Sequence, residues 1–386
     1  MPINILICDH VGLFFGEDGN PDPSEVKDHI QKRGGTFRRG PLATAGDGRA
    51  DILRFSYQPE LSTHAELLGQ TASGFYEAVI AAATLIAAGS RFSLGGVRIG
   101  AGTGNMGSAS WGGPNGSGGE APLMNTPGFN ARATAQMTMK TLLHFRPSLP
   151  LQQLHNLTVS GQFDTGKDLQ RFPSAKLEGQ VIAIFGYGNI GRELAKLAAA
   201  FGMIVRVFAR AHHHARILSE GFIPFANPLD AARGADVISV HTGLGALDAA
   251  TGRFANQGLV DAQILNALNQ KSTVLNFDRG ECVDAAALGA ALASGQVAHA
   301  AIDADIFTSG GKLTGPMVPY LALAEKFGAR ILLLPHAAAD TDHPSRVAGA
   351  KQAVDQIFDA IQHKRVVNLK GDLPPGYING GVKRGI

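Results

Sequence analysis

The sequence predicts an α/β protein built from two doubly wound parallel sheets, each with helices on its faces. Continuous apolar runs recur through the middle of the chain, as is typical of strands buried on both faces of a parallel sheet. Helical segments separate most of these runs, and one run ends in a glycine-rich turn that opens a helix. Because 386 residues exceed the usual size of one domain, we expect two.

Composition excludes several classes of protein. Charged residues make up 17% of the chain and hydrophobic residues 45%, which indicates a globular protein and not a disordered one. A net charge of +2 gives no strong field for nucleic acid or an anionic membrane. The longest apolar stretch, residues 78–88, is about half of the roughly 20 residues that a membrane span needs.

Two further features indicate a cytoplasmic protein. The first ten residues, MPINILICDH, lack the basic lead and long apolar core of a signal peptide. Cys8 and Cys282 are the only cysteines and supply no disulfide or metal framework. We therefore expect neither a bound metal nor a membrane or nucleic-acid partner.

The first part of the chain alternates strand-like and helical patterns. Strands are predicted within residues 3–12, 50–57 and 95–107. Helices are predicted over 23–34, 71–92 and 131–145, the second of these long and largely buried. Residues 108–119, SASWGGPNGSGG, have the composition of a flexible loop.

The middle section has a regular strand–helix rhythm, and an amphipathic helix is predicted near the C-terminus over 346–364. The predicted buried strands lie at 181–186, 204–210, 236–242, 272–278, 299–305 and 330–336.

The sequence GYGNIG, residues 186–191, follows an apolar strand and opens an amphipathic helix. Gly186 permits the tight turn, Gly188 lets the backbone approach a pyrophosphate, and Gly191 lets the helix pack close to the strand. The free N–H groups around Asn189 and Ile190 then face the phosphates. The pattern predicts a dinucleotide site, and the alternative is an ordinary turn between a strand and a helix.

The end of the second strand of this section indicates which dinucleotide binds. An NAD site requires Asp or Glu there, about 20 residues after the glycines, but Ala209 occupies the position and Arg210 follows. Arg210 can pair with a 2′-phosphate, which favours NADP slightly over NAD. Alternatively, Arg210 is a solvated surface charge. The three histidines at 212–214 form a poor metal site, because adjacent side chains point in different directions.

Several motifs stand in an order that resembles the D-isomer-specific 2-hydroxyacid dehydrogenase family. They are NTPGFNARATAQ at 125–136, the glycine turn, ADVISVHTGL at 235–244, LNFDRGECVDAAAL at 275–288, AHAAIDADIF at 298–307 and LLPHAAADT at 333–341. The ordered set is much more specific than the glycine turn alone.

The resemblance implies a Rossmann dinucleotide-binding domain inserted into a flavodoxin-like substrate domain. The dinucleotide-binding domain would span 125–340, and the substrate domain would combine 1–124 with 341–386. The family places its active site in the cleft between domains and dimerises through the dinucleotide domain. The implied activity is hydride transfer between NAD(P)H and a small 2-keto acid or D-2-hydroxy acid.

Two catalytic residues follow from the resemblance. The catalytic arginine of the family falls on Arg279, whose guanidinium can hold a carboxylate and polarise the adjacent carbonyl. The family's acid–base histidine falls on His336, which would protonate the carbonyl oxygen as hydride arrives. The alternatives are a structural ion pair of Arg279 with Asp278 or Asp284, and a structural role for His336.

The resemblance also assigns binding residues. Asp303 matches the aspartate that faces the nicotinamide amide, and Thr242 matches the segment along the cofactor. Backbone amides around Thr103 and Gly104 match the loop that binds the substrate carboxylate, although such a glycine-rich turn is commonly just a turn.

One catalytic group of the family is missing. Its third member, usually Glu, hydrogen-bonds the histidine and favours the imidazolium, but Thr308 occupies that position. Asp305 and Asp278 are the two candidate replacements, and we favour Asp305. The missing acid also keeps an alternative function open, a dinucleotide-binding sensor or interaction protein on the same scaffold.

A second departure is the glycine-rich loop at 108–119, where relatives are more helical. It is interpreted as a surface excursion, a lid or a subunit contact. Trp111, the only tryptophan, is a candidate to reach a substrate or a partner subunit from this loop.

Overall fold

A computed structural model describes most of the 386 residues. The described residues are 2–17, 19–42, 52–61, 64–146, 150–248, 250–309, 311–336 and 342–383. The chain divides into two compact units, Met1–Asn130 with Asp340–Ile386, and Ala131–Ala339. The sequence places the first boundary slightly earlier, after residue 124, and the second after residue 340, which lies outside the described residues.

Within the described residues the strands, β1 to β20 in chain order, are Ile3–Ile7, Thr36–Arg39, Leu53–Tyr57, Ala78–Ala81, Gly95–Arg98, Leu123–Asn125, Val181–Phe185, Ile204–Phe208, Ile223–Phe225, Val237–Val240, Leu247–Asp248, Arg253–Phe254, Ser272–Asn276, Val297–Asp303, Phe307–Ser309, Lys312–Thr314, Ile331–Leu334, Arg365–Val366, Leu369–Lys370 and Ile378–Asn379. The helices, α1 to α12, are Ser24–Lys32, His64–Thr71, Ala131–His144, Leu151–Val159, Thr165–Asp168, Asn189–Ala200, His214–Ser219, Pro228–Ala232, Ala262–Ala267, Ala285–Ser294, Val318–Phe327 and His343–His363.

The first unit contains a sheet in the order β19-β6-β5-β4-β1-β3-β2. All neighbours pair in parallel except β19, which lies antiparallel to β6. Without the two edge strands the order is that of a flavodoxin-like sheet. Helix α12 contributes to the core of this unit, where Phe358 stacks on Phe55 with ring centroids 5.8 Å apart.

The second unit contains a sheet in the order β17-β14-β13-β10-β7-β8-β9, and every neighbouring pair is parallel. This is the Rossmann order with one added strand, β17. The chain direction across the sheet reverses between β7 and β10, which is where such sheets bind ligands. The two sheets confirm the predicted fold class.

Burial explains why the apolar runs form central strands. The four residues 182–185 of β7 are fully buried. Two of them, Ile182 and Ile184, share a core cluster with Leu194, Ala195 and Ala198 of α6. The recurrence of these three positions at helical spacing gives α6 one apolar face. Burial therefore fixes both the strand before the glycine turn and the helix after it.

The helix predicted over 71–92 is wrong. Residues 78–81 form β4, which pairs with β1 on one side and β5 on the other, and all four residues are buried. A short apolar run looks alike in a buried helix and in a central strand, because neither shows alternation. Helix α2 ends at Thr71, where the predicted helix was to begin.

The loop at 108–119 is tied to the first unit through Trp111, whose side chain is fully buried. The indole Nε1 donates to the carbonyl oxygen of Met106 at 2.7 Å, and its ring stacks on Phe92. A Cβ on Gly116 would collide with the carbonyl oxygen of Lys370, so the loop also packs closely against β19. Trp111 is therefore a core residue of this unit and not a contact for substrate or partner.

Among the described helices, none combines the length and the apolar character needed to cross a bilayer.

Candidate functional site

Five parallel strands of the second unit, β7, β10, β13, β14 and β17, end at the same edge of its sheet. The segments that follow them carry the glycine turn, Thr242, Arg279, Asp303 with Asp305, and His336. Ligands of open α/β sheets bind outside this carboxyl edge. The sequence-predicted residues of the second unit thus gather where such a sheet can use them.

The glycine turn after β7 is closed on its inner side and open on its outer side. A Cβ on Gly186, which has φ of +101°, would collide with the carbonyl oxygen of His241, and one on Gly191 would collide with that of Gly186. A Cβ on Gly188 would meet nothing within 4 Å. Helix α6 starts at Asn189 with its first N–H groups at this open side, so the turn fits a dinucleotide pyrophosphate.

The carboxylate of Glu220 accepts hydrogen bonds from three side chains around this turn. Tyr187 donates its hydroxyl to Glu220 Oε2 at 2.6 Å, and Arg192 Nη2 lies 2.6 Å from Glu220 Oε1. Arg216 Nε donates to the same Oε1 at 3.0 Å. Hydrogen bonding from Arg192 in particular lowers the pKa of Glu220 to about 2. Sequence reasoning missed this cluster, and its one local signal is the four-residue spacing of Arg216 and Glu220.

The end of β8 presents Arg210 to solvent. Ala209 is buried, and its carbonyl oxygen lies 2.9 Å from Nε2 of His214. Arg210 is exposed, and within the described residues it makes no ion pair. The rings of His212 and His213 are tilted against each other with centroids 4.0 Å apart. The described residues contain no group of three potential metal ligands.

Arg279 follows β13 in a turn that its neighbours fix. Asn276 Nδ2 donates to the carbonyl oxygen of Arg279 at 3.0 Å, and Arg279 Nη1 donates to Asp305 Oδ2 at 3.2 Å. The side chains of Arg279 and Asp305 are 40% and 30% exposed, so the guanidinium remains accessible to a ligand.

Asp278, directly before Arg279, is a partly buried carboxylate of this edge that accepts two backbone hydrogen bonds. Its Oδ2 accepts from the backbone N–H of Gly243 at 2.6 Å, and its Oδ1 accepts from that of Arg279 at 2.8 Å. Burial raises the pKa of Asp278, while these two N–H groups and the positive charges of Arg279 and His336 oppose that effect. Asp278 therefore lies within electrostatic range of the predicted acid–base histidine.

His336 lies two residues after β17 in a left-handed conformation, with φ of +54°. Its Nδ1 is 3.9 Å from Oδ2 of Asp303, which is 1% exposed at the end of β14. That separation is too long for a hydrogen bond, and among the described residues Nδ1 of His336 has no hydrogen-bond partner. The structure thus brings His336 to Asp303, and it brings Asp305 to Arg279.

The segment after β10 lines the same edge. Thr242 lies beside the thiol of Cys282, and the Cys282 Sγ lies 3.8 Å from the carbonyl oxygen of Gly243. Burial raises the pKa of Cys282 to about 12, so its sulfur stays a thiol. Cys282 thus packs this loop and has no nucleophilic character.

The substrate loop at Thr103 and Gly104, and Thr308, lie outside the cluster of candidate residues described above. Thr103 and Gly104 follow β5 in the first unit, where Thr103 Oγ1 donates to the carbonyl oxygen of Pro114 at 2.7 Å. Thr308, at the position of the missing acid, lies in the hairpin of β15 and β16 and is exposed. Its side chain cannot replace the function of a carboxylate.

The chain matches a known family model. Residues 143–310 match the NAD-binding domain of D-isomer-specific 2-hydroxyacid dehydrogenases. Over 260 residues the chain is 26% identical to a glyoxylate reductase of Aeropyrum pernix, covering 67% of this chain and 69% of that protein. Over 261 residues it is 28% identical to D-3-phosphoglycerate dehydrogenase of Rattus norvegicus, covering 64% and 42%. The matches span from 42% to 69% of the length of these curated relatives.

Solved structures share the fold along nearly the whole chain. An NAD+-bound 3-phosphoglycerate dehydrogenase of Entamoeba histolytica has a TM-score of 0.62 at 16% identity, covering 94% of this chain and 96% of that one. An NADPH-dependent glyoxylate/hydroxypyruvate reductase of Sinorhizobium meliloti has a TM-score of 0.58 at 17% identity, covering 98% and 100%. At these identities the likeness shows the fold alone. By the family-model match over residues 143–310 and by these relatives, the chain is similar to D-isomer-specific 2-hydroxyacid dehydrogenases.

Proposed function

We propose that this protein is an oxidoreductase that interconverts a small 2-keto acid and its D-2-hydroxy acid with a nicotinamide dinucleotide. The observation that carries the proposal is the placement of Arg279 and His336 at one sheet edge, after β13 and β17, with Asp303 between them at the end of β14. A dinucleotide-binding sensor would need neither the guanidinium nor the imidazole at this edge.

Arg279 would bind and orient the substrate. A guanidinium has five N–H donors in a fixed fork, and the Asp305 contact engages one of its nitrogens. The remaining donors can hold the substrate carboxylate and polarise the adjacent carbonyl oxygen. Asp305 would then set the orientation of Arg279.

His336 would move the proton. In reduction the imidazolium gives its proton to the carbonyl oxygen, while the carbonyl carbon gains a hydride; in oxidation the neutral imidazole takes the proton back. A bound nicotinamide dinucleotide supplies or accepts that hydride. Asp303, 3.9 Å from His336 Nδ1, would favour the orientation that directs Nε2 toward substrate.

The negative charge that the missing acid would supply requires another source. The sequence favours Asp305, but among the described residues Asp305 hydrogen-bonds Arg279 and makes no contact with His336. We propose that Asp278, the other candidate, favours the imidazolium through its charge.

We propose NADP as the preferred coenzyme over NAD. Arg210, after β8, is exposed and makes no ion pair with any described residue, and no carboxylate stands at the position that would bind a ribose 2′-hydroxyl.

We further propose that the second unit is the dinucleotide-binding domain and that the first unit binds substrate through the backbone at Thr103 and Gly104.

We also propose that the protein is a homodimer. Helix α4 supports the dimer, since none of its residues is buried. Its Leu151 and Val159 are 75% and 74% exposed, and a second copy of the chain would cover such apolar side chains. Sedimentation of the wild type and of Leu151→Glu tests this assignment.

The proposed activity is tested by turnover. Glyoxylate, pyruvate, hydroxypyruvate and phosphohydroxypyruvate are offered with NADPH and NADH, to the wild type, His336→Gln and Arg279→Lys. We expect saturable reduction of at least one acid, a loss of roughly 100-fold or more in kcat for His336→Gln, and unchanged coenzyme binding. His363→Gln, an exposed histidine at the end of α12, is the matched control. Coenzyme binding without turnover of any acid would replace the enzyme with the sensor.

A further inference from the structure

A basic cluster lies at the opposite, amino edge of the second unit's sheet. It consists of His144 and Arg146 at the end of α3, His299 near the start of β14, and Arg330 directly before β17. The ring of Phe145 stacks on that of His299 with centroids 4.9 Å apart, which brings the end of α3 against β14. No residue of this cluster belongs to the carboxyl edge where we place the reaction.

Among the described residues, three nitrogen atoms of this cluster are buried and lack a hydrogen-bond partner. Nε and Nη2 of Arg146 and Nδ1 of His299 have no hydrogen-bond partner among the described residues. Buried polar atoms of native proteins nearly always have a partner, and an ion or a water supplies it when the chain does not. Arg330 is different, because it donates to the carbonyl oxygens of Leu292, Val297 and Ala298.

The charged groups around His299 are positive, and one carboxylate faces Arg146. Burial first, and then the positive charges of Arg146, Arg330 and His144, lower the pKa of His299. The carboxylate that faces Arg146 is that of Asp236. Its oxygens already accept from Val181 N and Asn269 Nδ2, both at 2.8 Å.

A purely structural role explains only part of this arrangement. Cations after the C-terminus of α3 interact favourably with the helix dipole, which accounts for the presence of His144 and Arg146. It does not account for buried guanidinium donors that make no hydrogen bond to the helix carbonyls. We propose that the basic cluster binds a small oxyanion, with Arg146 and His299 as its direct ligands and Arg330 and His144 as flanking charges.

The ligand class follows from the donors. A guanidinium edge and an imidazolium N–H match the oxygens of phosphate, sulfate or a carboxylate, and a charge-assisted bond to Arg146 would be the strongest of these contacts. An oxyanion bound there would link the end of α3 to the sheet. This site does not depend on the proposed enzymatic activity.

Sulfate is the probe, because it keeps its charge from pH 5 to 8. The full-length protein is titrated with sodium sulfate by isothermal titration calorimetry at constant ionic strength, with chloride as the balancing salt. Scanning calorimetry follows the melting temperature in parallel. We expect binding to the wild type, and a dissociation constant at least about tenfold weaker in Arg146→Gln, which loses the charge-assisted bonds.

Two controls separate this site from others. Arg171→Gln removes an exposed arginine of the same unit that pairs with Asp168, and it should bind sulfate as the wild type does. Gly188→Asp places a negative charge in the open side of the glycine turn, so sulfate binding that persists there does not come from the coenzyme site. If Arg146→Gln fails to fold, Arg146→Lys, which keeps the charge and loses the fork, should show the weakened affinity.

The pH dependence gives a second readout. Sulfate affinity should rise as the pH falls from 7.5 to 5.5, since protonated His299 gains a donor and a charge, and His299→Gln should reduce this rise. The proposal is overturned if sulfate binding is absent, if Arg146→Gln retains it, or if Gly188→Asp abolishes it. A sulfate effect that varies with protein concentration would equally overturn it, because the occupant would then be a carboxylate of a second copy.

Discussion

Arg279 donates from Nη1 to Oδ2 of Asp305 at 3.2 Å, so the guanidinium assigned to the substrate already faces a carboxylate. Both side chains are partly exposed, and water therefore screens the pair. The contact turns Asp305 toward Arg279, the proposed substrate-binding group. In the proposed mechanism, Asp303 and Asp278 are then the carboxylates that act on His336.

This pairing makes Asp305→Asn a mild substitution. The amide can still accept from Arg279, so we expect kcat/KM for keto-acid reduction to change by less than about tenfold. The pH profile of kcat/KM should keep the shape of the wild type. A profile that shifts to lower pH would instead make Asp305 the replacement for the missing third acid.

Asp278→Asn should have the complementary effect. It removes the buried negative charge nearest in sequence to Arg279, and the imidazolium of His336 would lose an anionic neighbour. Reduction should then be fastest at lower pH than in the wild type, with coenzyme affinity changed little. An unchanged pH profile, together with an unchanged melting temperature, would remove Asp278 from the mechanism.

Arg210→Ala tests the coenzyme preference. Loss of a charge-assisted contact to the 2′-phosphate should weaken NADPH binding by roughly 10- to 100-fold and leave NADH binding unchanged. Isothermal titration calorimetry measures both constants, and Arg233→Ala, another exposed arginine of this unit, is the matched control. Equal affinity of the wild type for both coenzymes would contradict the assignment.

Two glycines of one turn should respond differently to the same substitution. Gly191→Ala should destabilise the protein by about 1–3 kcal/mol, because its Cβ would collide with the backbone of Gly186. Gly188→Ala should melt as the wild type does, since its Cβ meets open space, and should weaken coenzyme binding where the pyrophosphate approaches. Comparing the melting temperature and coenzyme affinity of both variants separates the roles. Full coenzyme affinity in Gly188→Ala would show that no phosphate lies there.

His241 should make stability depend on pH. Burial lowers its pKa from 6.5 to about 3, so between these values the unfolded chain binds a proton that the folded chain does not. Stability should therefore fall as the pH falls below 6.5, by up to about 1.4 kcal/mol per pH unit from this residue.

The effect of His241 is measured as the free energy of unfolding in urea between pH 6.5 and 5. This range lies above the pH values at which Glu220 contributes. Glu220, with a pKa of about 2, has the same sign, but its contribution is lost only as the pH falls from 4.5 toward 2. His241→Gln should flatten the dependence, and the exposed His363→Gln should leave it unchanged. Equal slopes for the wild type and His241→Gln would show that His241 is protonated in the folded state.

The fold class could be predicted from the sequence because burial on both faces gives the central strands continuous apolar runs, which recur along the chain with helices between them. The buried run 182–185, the glycines that follow it and the amphipathic α6 each agree with the same local structure. The run at 78–81 failed because its partners β1 and β5 are distant in the chain, and nothing local distinguishes a central strand from a buried helix.

The sequence indicated which residues form the candidate site, but it did not indicate which of their side chains contact one another. Arg279 and His336 were found through motif order, and the strand ends explain why they share an edge. Whether Asp305 faces Arg279 or His336 depends on a side-chain direction after a strand, which spacing does not encode. The cluster around Glu220 was missed because its donors come from three separate segments.

Trp111 has a practical consequence, because it is the single tryptophan of the chain and is enclosed in the first unit. Its intrinsic fluorescence is an optical signal from that unit's interior, with the emission of an apolar environment in the native state and a red shift when water reaches the indole. The second unit has no indole of its own. Comparing tryptophan emission with circular dichroism, which sees both units, therefore resolves whether the two unfold in one transition or in sequence.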